Sequence, residues 1–148
     1  MTRRLLSIAL GLILLAGLAF AWAVWRELRP IPLVQAPELP PTPALIARGE
    51  LLARAGNCVA CHTAKGGEPW AGGHAVQTRF GAIVSSNLTP HASGLGGWSA
   101  AEFHRALHDG QSRDGRLLYP AFPYLHTTRL ARADTDAFMV LSAPASAP

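Results

Sequence analysis

Cysteine is scarce in this 148-residue chain: there are two, Cys58 and Cys61, inside one four-residue stretch. A long-range structural disulfide is excluded while the pair serves another purpose. Charge is thin as well, with 13 Lys and Arg against 9 Asp and Glu. The formal balance of +4 includes Arg3 and Arg4 ahead of the first apolar run. The +2 left beyond them is too weak for a nucleic-acid surface. No internal repeat is visible, and beyond the N-terminus there is room for one domain of roughly 100 residues. A domain that small is marginal on its own apolar burial, so a group filling its centre would help explain how it folds.

Apolar sequence is concentrated at the start. From Leu5 to Val24 every residue but Ser7 is apolar or small, a run of 20 residues. As a helix it is about 30 Å long, enough to span a bilayer. Arg3 and Arg4 precede it, and the positive-inside bias keeps them in the cytoplasm and exports the chain beyond the run. Ala19-Phe20-Ala21 and Ala21-Trp22-Ala23 carry the small-x-small pattern of a signal peptidase site. The length of the run, with Trp22, Trp25, Arg26 and Arg29 placed as interfacial anchors, favours a retained membrane helix. A buried core helix is the weaker reading, because nothing else in so small a domain could cover it.

Six prolines between Arg29 and Pro43 predict an extended, semi-rigid spacer with little packing. Thr42 is suited to cap a helix with Pro43 at its first position, running through Leu45, Ile46, Leu51 and Leu52 to Gly56. From Thr63 to Gly97 there is no sustained period, which predicts loop with one short extended piece at Phe80 to Val84. So long a loop suits the wrapping of a cofactor. Ser99 and Glu102 form a capping box for a helix through Phe103, Ala106 and Leu107 that ends at Gly110. A last helix is expected from about Asp134 to Leu141, with two aspartates in its first turn.

The sequence Cys58-Val59-Ala60-Cys61-His62 has the C-x-x-C-H spacing of covalent haem attachment. Two thiols three positions apart can each add to one vinyl group, and the next residue offers an imidazole to the iron. A zinc site needs two more ligands at characteristic spacing, and no second cysteine pair exists, although His62, His74 and His91 are available. A thioredoxin-like pair needs a preceding strand and a following long helix; here a helix precedes and a glycine-rich loop follows. Export to an oxidising compartment also favours haem.

The matching pieces extend well beyond the cysteines. They are Ala47-Arg48-Gly49, Gly56-Asn57-Cys58-Val59-Ala60-Cys61-His62-Thr63, Ala71-Gly72-Gly73, Ser86-Asn87-Leu88-Thr89-Pro90, Gly94-Leu95-Gly96-Gly97-Trp98-Ser99 and Leu118-Tyr119-Pro120-Ala121-Phe122-Pro123-Tyr124. In this order they resemble the first haem domain of the cytochrome c subunits that accompany periplasmic dehydrogenases. Those dehydrogenases are the quinoprotein alcohol, flavin gluconate-type, and molybdenum aldehyde or nicotinate enzymes. The resemblance implies a mainly α, class I cytochrome c-like domain with long haem-wrapping loops, behind one N-terminal transmembrane helix. It implies one covalent haem c, a dehydrogenase catalytic subunit as donor, and a cytochrome, quinone or oxidase as acceptor. The expected location is the inner membrane, with the haem domain in the periplasm. The expected organisation is an anchor or signal segment at 1–25, a Pro-rich linker at 26–43, the cytochrome c domain at 44–142 and a tail at 143–148. Family members commonly hold three such domains in series, whereas one is visible here, and the closing helix is shorter than usual.

The sequence leaves the sixth iron ligand open. Axial Met raises the iron potential relative to axial His. The loop before the last helix has Phe122 where a Met is expected, so His126 in that loop competes with Met139 in the helix. The ordinary role of Met139 is core packing beside Phe138 and Leu141. Trp98, Tyr119, Phe122 and Tyr124 are candidates to line the haem and exclude water. His104 and His108 lie one helical turn apart, on what is expected to be solvated helix surface. The expected function is single-electron transfer with no acid or base residue; the protein would be an electron carrier, not an enzyme. The rivals are a haem peroxidase or gas sensor with an open sixth position, and a purely structural haem protein.

Overall fold

The computed structural model describes residues 2–121 and 123–141. Phe122, the 143–148 tail and the last residue of the expected 44–142 domain lie outside them. The chain divides into two units, Met1–Ile31 and Pro32–Pro148.

The first unit is one helix, α1 (Thr2–Glu27), long and apolar enough to cross a membrane and with none of its residues buried. Arg26 lies over the Trp22 ring at 5.7 Å and Arg29 over Trp25 at 3.5 Å. Such cation–π pairs suit an aromatic and basic girdle at a membrane–water boundary.

The second unit is mainly helical. Helix α2 (Pro43–Ala55) starts where Thr42 Oγ1 accepts the Leu45 amide and Pro43 presets the first turn. One turn, α3 (Cys58–Cys61), comes next, and then a hairpin of β1 (Ala75–Thr78) and β2 (Gly81–Val84), antiparallel with Ala75 opposite Val84. The extended piece expected at Phe80–Val84 is thus the second half of a hairpin. Phe80 sits in its turn, and β1 was not legible because Ala75-Val76-Gln77-Thr78 has no alternating burial. Helix α4 (Ala100–Asp109) has the reciprocal Ser99–Glu102 capping box and ends at Gly110 in the left-handed region (φ 67°). A turn, α5 (Tyr124–Thr127), leads to α6 (Arg132–Leu141), which begins two residues before the expected Asp134 and has only Asp134 as an acid in its first turn.

The organising contact is the crossing of α2 and α6. Gly49 is buried, and a Cβ there would lie 2.3 Å from the Ala137 carbonyl oxygen, so only glycine lets the two backbones come this close. Ala53 and Ala137 are likewise buried, and Arg48 of α2 pairs with Asp134 of α6. Helix α4 packs on α6: His104 Nδ1 lies 2.9 Å from Thr135 Oγ1, a fully buried side chain. His104 is therefore a packing residue and not the solvated one expected. Burial, then the neighbouring His108, hold its imidazole below the usual histidine range.

The proline-rich segment is also more engaged than its composition implied. Arg132 Nη1 donates to the Val34 carbonyl at 2.7 Å while its Nε donates to Asp136 at 2.7 Å. Leu39 and Pro41 line a cavity of about 240 Å³ together with Trp98 and Met139.

Candidate functional site

The site grows from the end of α2. Gly56 closes that helix with its amide on the Leu52 carbonyl, and Asn57 then adopts the left-handed conformation (φ 49°), which asparagine tolerates better than most residues. The reversal starts α3 at once. Cys58 and Cys61 stand one turn apart, both free thiols, the first half-buried and the second exposed. Burial pushes the Cys58 thiol up from its ordinary pKa, so it is held as the neutral thiol.

His62 caps the turn, its amide donating to the Cys58 carbonyl at 3.0 Å. Its Nδ1 lies 2.8 Å from the Ser86 carbonyl oxygen. A carbonyl only accepts, so Nδ1 carries the proton and Nε2 is left as a bare lone pair. This is the arrangement in which a histidine ligates a metal: the second nitrogen is tied to a backbone carbonyl, which fixes tautomer and ring direction.

Ser86 reaches His62 because of Gly72. The Gly72 amide donates to the His62 carbonyl at 2.9 Å, and the residue has φ +74°. A Cβ there would lie 2.6 Å from the Ser86 carbonyl carbon and oxygen. Gly73 donates to Ser85, Ser85 to the His74 carbonyl, and Leu88 to the Trp70 carbonyl, so the long loop is pinned by its own backbone. Beyond it, Asn87 Oδ1 accepts from both the amide and the hydroxyl of Thr89, an Asx turn.

The remaining candidates lie on other elements. Tyr119 (54% exposed) and Tyr124 (46%) belong to a segment in which Leu117 and Leu125 are also open to solvent. His126 is exposed on α5, its amide bound to the Pro123 carbonyl. Trp98 and Met139, both half-buried, share the cavity lined by Leu39 and Pro41. Sequence reasoning missed Ser86 as the carbonyl that orients His62; the only signal was its place in the matching Ser86-Asn87-Leu88-Thr89-Pro90 segment.

These residues fit a covalent haem better than a bare metal ion. Among the described residues no three His, Cys, Asp or Glu side chains converge to hold a metal, so a zinc site lacks its donor set. The buried apolar residues among them are Ala53, Leu95, Ala101, Phe103, Ala106 and Ala137, four of the six alanines. So lean a core suits a large apolar group bound alongside exposed leucines and tyrosines.

No protein-family model matches the sequence. Similar proteins are nevertheless clear. A subunit of nicotinate dehydrogenase from Pseudomonas putida is 47% identical over 108 residues, covering 69% of this chain and 9% of that protein. The gluconate 2-dehydrogenase cytochrome c subunit of Pantoea cypripedii is 51% identical over 82 residues, 55% of this chain and 19% of the relative. The chain is a homologue of dehydrogenase cytochrome c subunits. A diheme cytochrome c-type protein of Cereibacter sphaeroides is 35% identical over 147 residues, 93% of this chain and 48% of that protein. The chain thus spans less than half the length of each of these relatives. Those named as cytochrome subunits are electron-transfer components of dehydrogenase complexes, not the catalytic subunits. Homology to cytochromes c implies haem c.

Proposed function

We propose that this chain is a membrane-anchored cytochrome c with one covalent haem, passing single electrons from a periplasmic dehydrogenase to the respiratory chain. The observation that carries the reading is the Nδ1 hydrogen bond of His62 to Ser86, which leaves Nε2 bare directly after two free thiols. Cys58 and Cys61 hold the haem through thioether bonds, and His62 offers Nε2 to the iron. Bound there, haem supplies reversible one-electron chemistry. Tyr119, open to solvent, is the described aromatic that would wall the haem, whereas Trp98 lines the cavity with Met139, Leu39 and Pro41. In this reading residues 1–25 anchor the protein in the inner membrane, 26–43 link, 44–142 form a class I cytochrome c-like domain in the periplasm, and 143–148 are a tail. The donor is a dehydrogenase catalytic subunit of the kind its relatives' names describe, and the acceptor is a cytochrome, quinone or oxidase.

His126 is the proposed sixth ligand. Met139 packs against the proline-rich segment in the cavity with Leu39 and Pro41, an ordinary apolar use of methionine. His126, exposed on a single helical turn, has no such commitment.

The test is a visible spectrum of the detergent-extracted protein, oxidised and dithionite-reduced, before and after denaturing extraction, with carbon monoxide added last. Haem that survives extraction, with a reduced spectrum indifferent to carbon monoxide, is expected. His126→Ala should open the iron to carbon monoxide and Met139→Leu should not. Haem lost on extraction would remove the central claim. Carbon monoxide binding to the unaltered protein would instead favour an open-site peroxidase or sensor.

A further inference from the structure

Helix α1 ends in a cluster of side chains that the electron-transfer reading does not use. Trp22, Trp25, Arg26 and Arg29 stand at i, i+3, i+4 and i+7, which gathers them on one face of the helix. The helical path continues past Glu27, with the Leu28 amide on the Val24 carbonyl at 3.0 Å and the Arg29 amide on the Arg26 carbonyl at 3.4 Å. The second bond closes a tighter turn, as helix ends commonly do, and Pro30 has no amide proton to carry the helix further. Arg29 is thereby held over Trp25, its Cζ 3.5 Å from the ring centroid. At that distance the guanidinium can only lie flat on the indole, so the contact takes up none of its in-plane N–H donors.

Beside this pair lies a cavity of about 490 Å³, lined by Phe20, Val24, Trp25, Leu28, Arg29 and Pro30 and formed wholly within the first unit. Phe20, Val24 and Leu28 recur every four residues and make an apolar groove along the helix. Among the described residues, Arg29 is the one charged side chain in its wall. We propose that this groove binds one anionic phospholipid, with the phosphate held by Arg29 and an acyl chain laid along Phe20, Val24 and Leu28. The inference rests on the reading of α1 as a membrane anchor. A stacked guanidinium presents a planar fork that matches phosphate oxygens, and the Trp25 ring keeps water from one of its faces. Arg26, one turn before Arg29 and over Trp22 at 5.7 Å, adds a second positive charge, which disfavours a headgroup that carries its own cation. Glu27 lies two positions from Arg29, on the far side of the helix. With Arg3 and Arg4 in the cytoplasm, Arg26 and Arg29 fall on the exported side, against the positive-inside bias. A bound anion gives them a reason to be there.

The test uses the full haem-loaded chain in bilayer nanodiscs of equimolar phosphatidylglycerol and phosphatidylcholine, with the lipids that stay bound on release counted by native mass spectrometry. One phosphatidylglycerol per chain is expected, in preference to phosphatidylcholine. Arg29→Gln should cut that preference about fivefold, the effect of one basic residue near anionic lipid. Trp25→Leu should also weaken it, by removing the support under the guanidinium, and Arg54→Gln, exposed on α2, should leave it unchanged. Alkaline carbonate washing of phosphatidylcholine vesicles tests the anchor separately. A chain that stays in washed vesicles but retains both lipids equally, or keeps its preference in Arg29→Gln, would overturn the lipid site and leave the anchor standing. A chain washed out of the vesicles would overturn the anchor reading and the lipid site with it.

Discussion

Replacing Gly72 by alanine separates backbone strain from the contact that orients His62. Gly72 has φ +74°, where an L side chain costs about 1–2 kcal/mol. Its new Cβ would also lie 2.6 Å from main-chain atoms of Ser86, which cannot swing aside as a side chain can. Overpacking of that kind costs about 1–3 kcal/mol. The move that relieves it draws the Ser86 carbonyl from His62 Nδ1, forfeiting a hydrogen bond of about 1 kcal/mol. The total is about 3–6 kcal/mol. Gly66 is the matched control: it too has φ +74°, but a Cβ there meets nothing within 4 Å, so alanine should cost only the strain, about 1–2 kcal/mol. Urea unfolding of both variants, followed by tryptophan fluorescence, gives the difference. A second readout is the reduced haem spectrum, which should change in Gly72→Ala and not in Gly66→Ala. Equal destabilisation of the two variants would refute the argument that Gly72 exists for the approach of Ser86.

Two further outcomes are expected from other parts of the fold. Gly49→Ala gains about 1 kcal/mol of helix propensity but drives a Cβ to 2.3 Å from the Ala137 carbonyl, a clash costing about 1–3 kcal/mol; net destabilisation in urea is expected, and a stabilised variant would show that α2 and α6 cross elsewhere. Asp114 accepts first from the Arg116 amide and then from its side chain, which holds the carboxyl below its ordinary value of 3.8. Its folded pKa is depressed, so its contribution is present above the unfolded value and lost as pH falls through the folded one. A carbon-13 titration of Arg116→Ala should find most of the depression retained, because the amide stays; full return to the ordinary value would assign the effect to the ion pair.

Where an element is set by local chemistry, the sequence was sufficient. Thr42-Pro43, the Ser99–Glu102 box and Gly110 mark helix ends through bonds that span four residues or fewer, and each stands where its chemistry puts it. Where an element is set by a distant partner, the sequence was silent. The hairpin at Ala75–Val84 depends on backbone pairing that no alternation of apolar residues announces. His104 looked like helix surface because its partner, Thr135, lies 31 positions away on α6. The proline-rich segment looked like a free spacer because the contact that holds it, Arg132 to Val34, spans 98 positions and uses a carbonyl that every residue has.

The candidate site divides along the same line. Two cysteines and a histidine at fixed spacing are a local statement, and one turn of helix suffices to gather them. What orients the His62 ring is not local. Its ring direction comes from a carbonyl 24 residues on, and that carbonyl can approach only because residue 72 has no side chain. A bare Cys-x-x-Cys-His would leave Nδ1 free to ligate in place of Nε2, or the ring free to turn away from the two thiols. The loop from Thr63 to Gly97 therefore has a mechanical reason for its length: it must leave the turn, fold back through Gly72 and return Ser86 to the histidine. Gly72, which looked like absence of structure in the sequence, is the position at which that return is sterically possible.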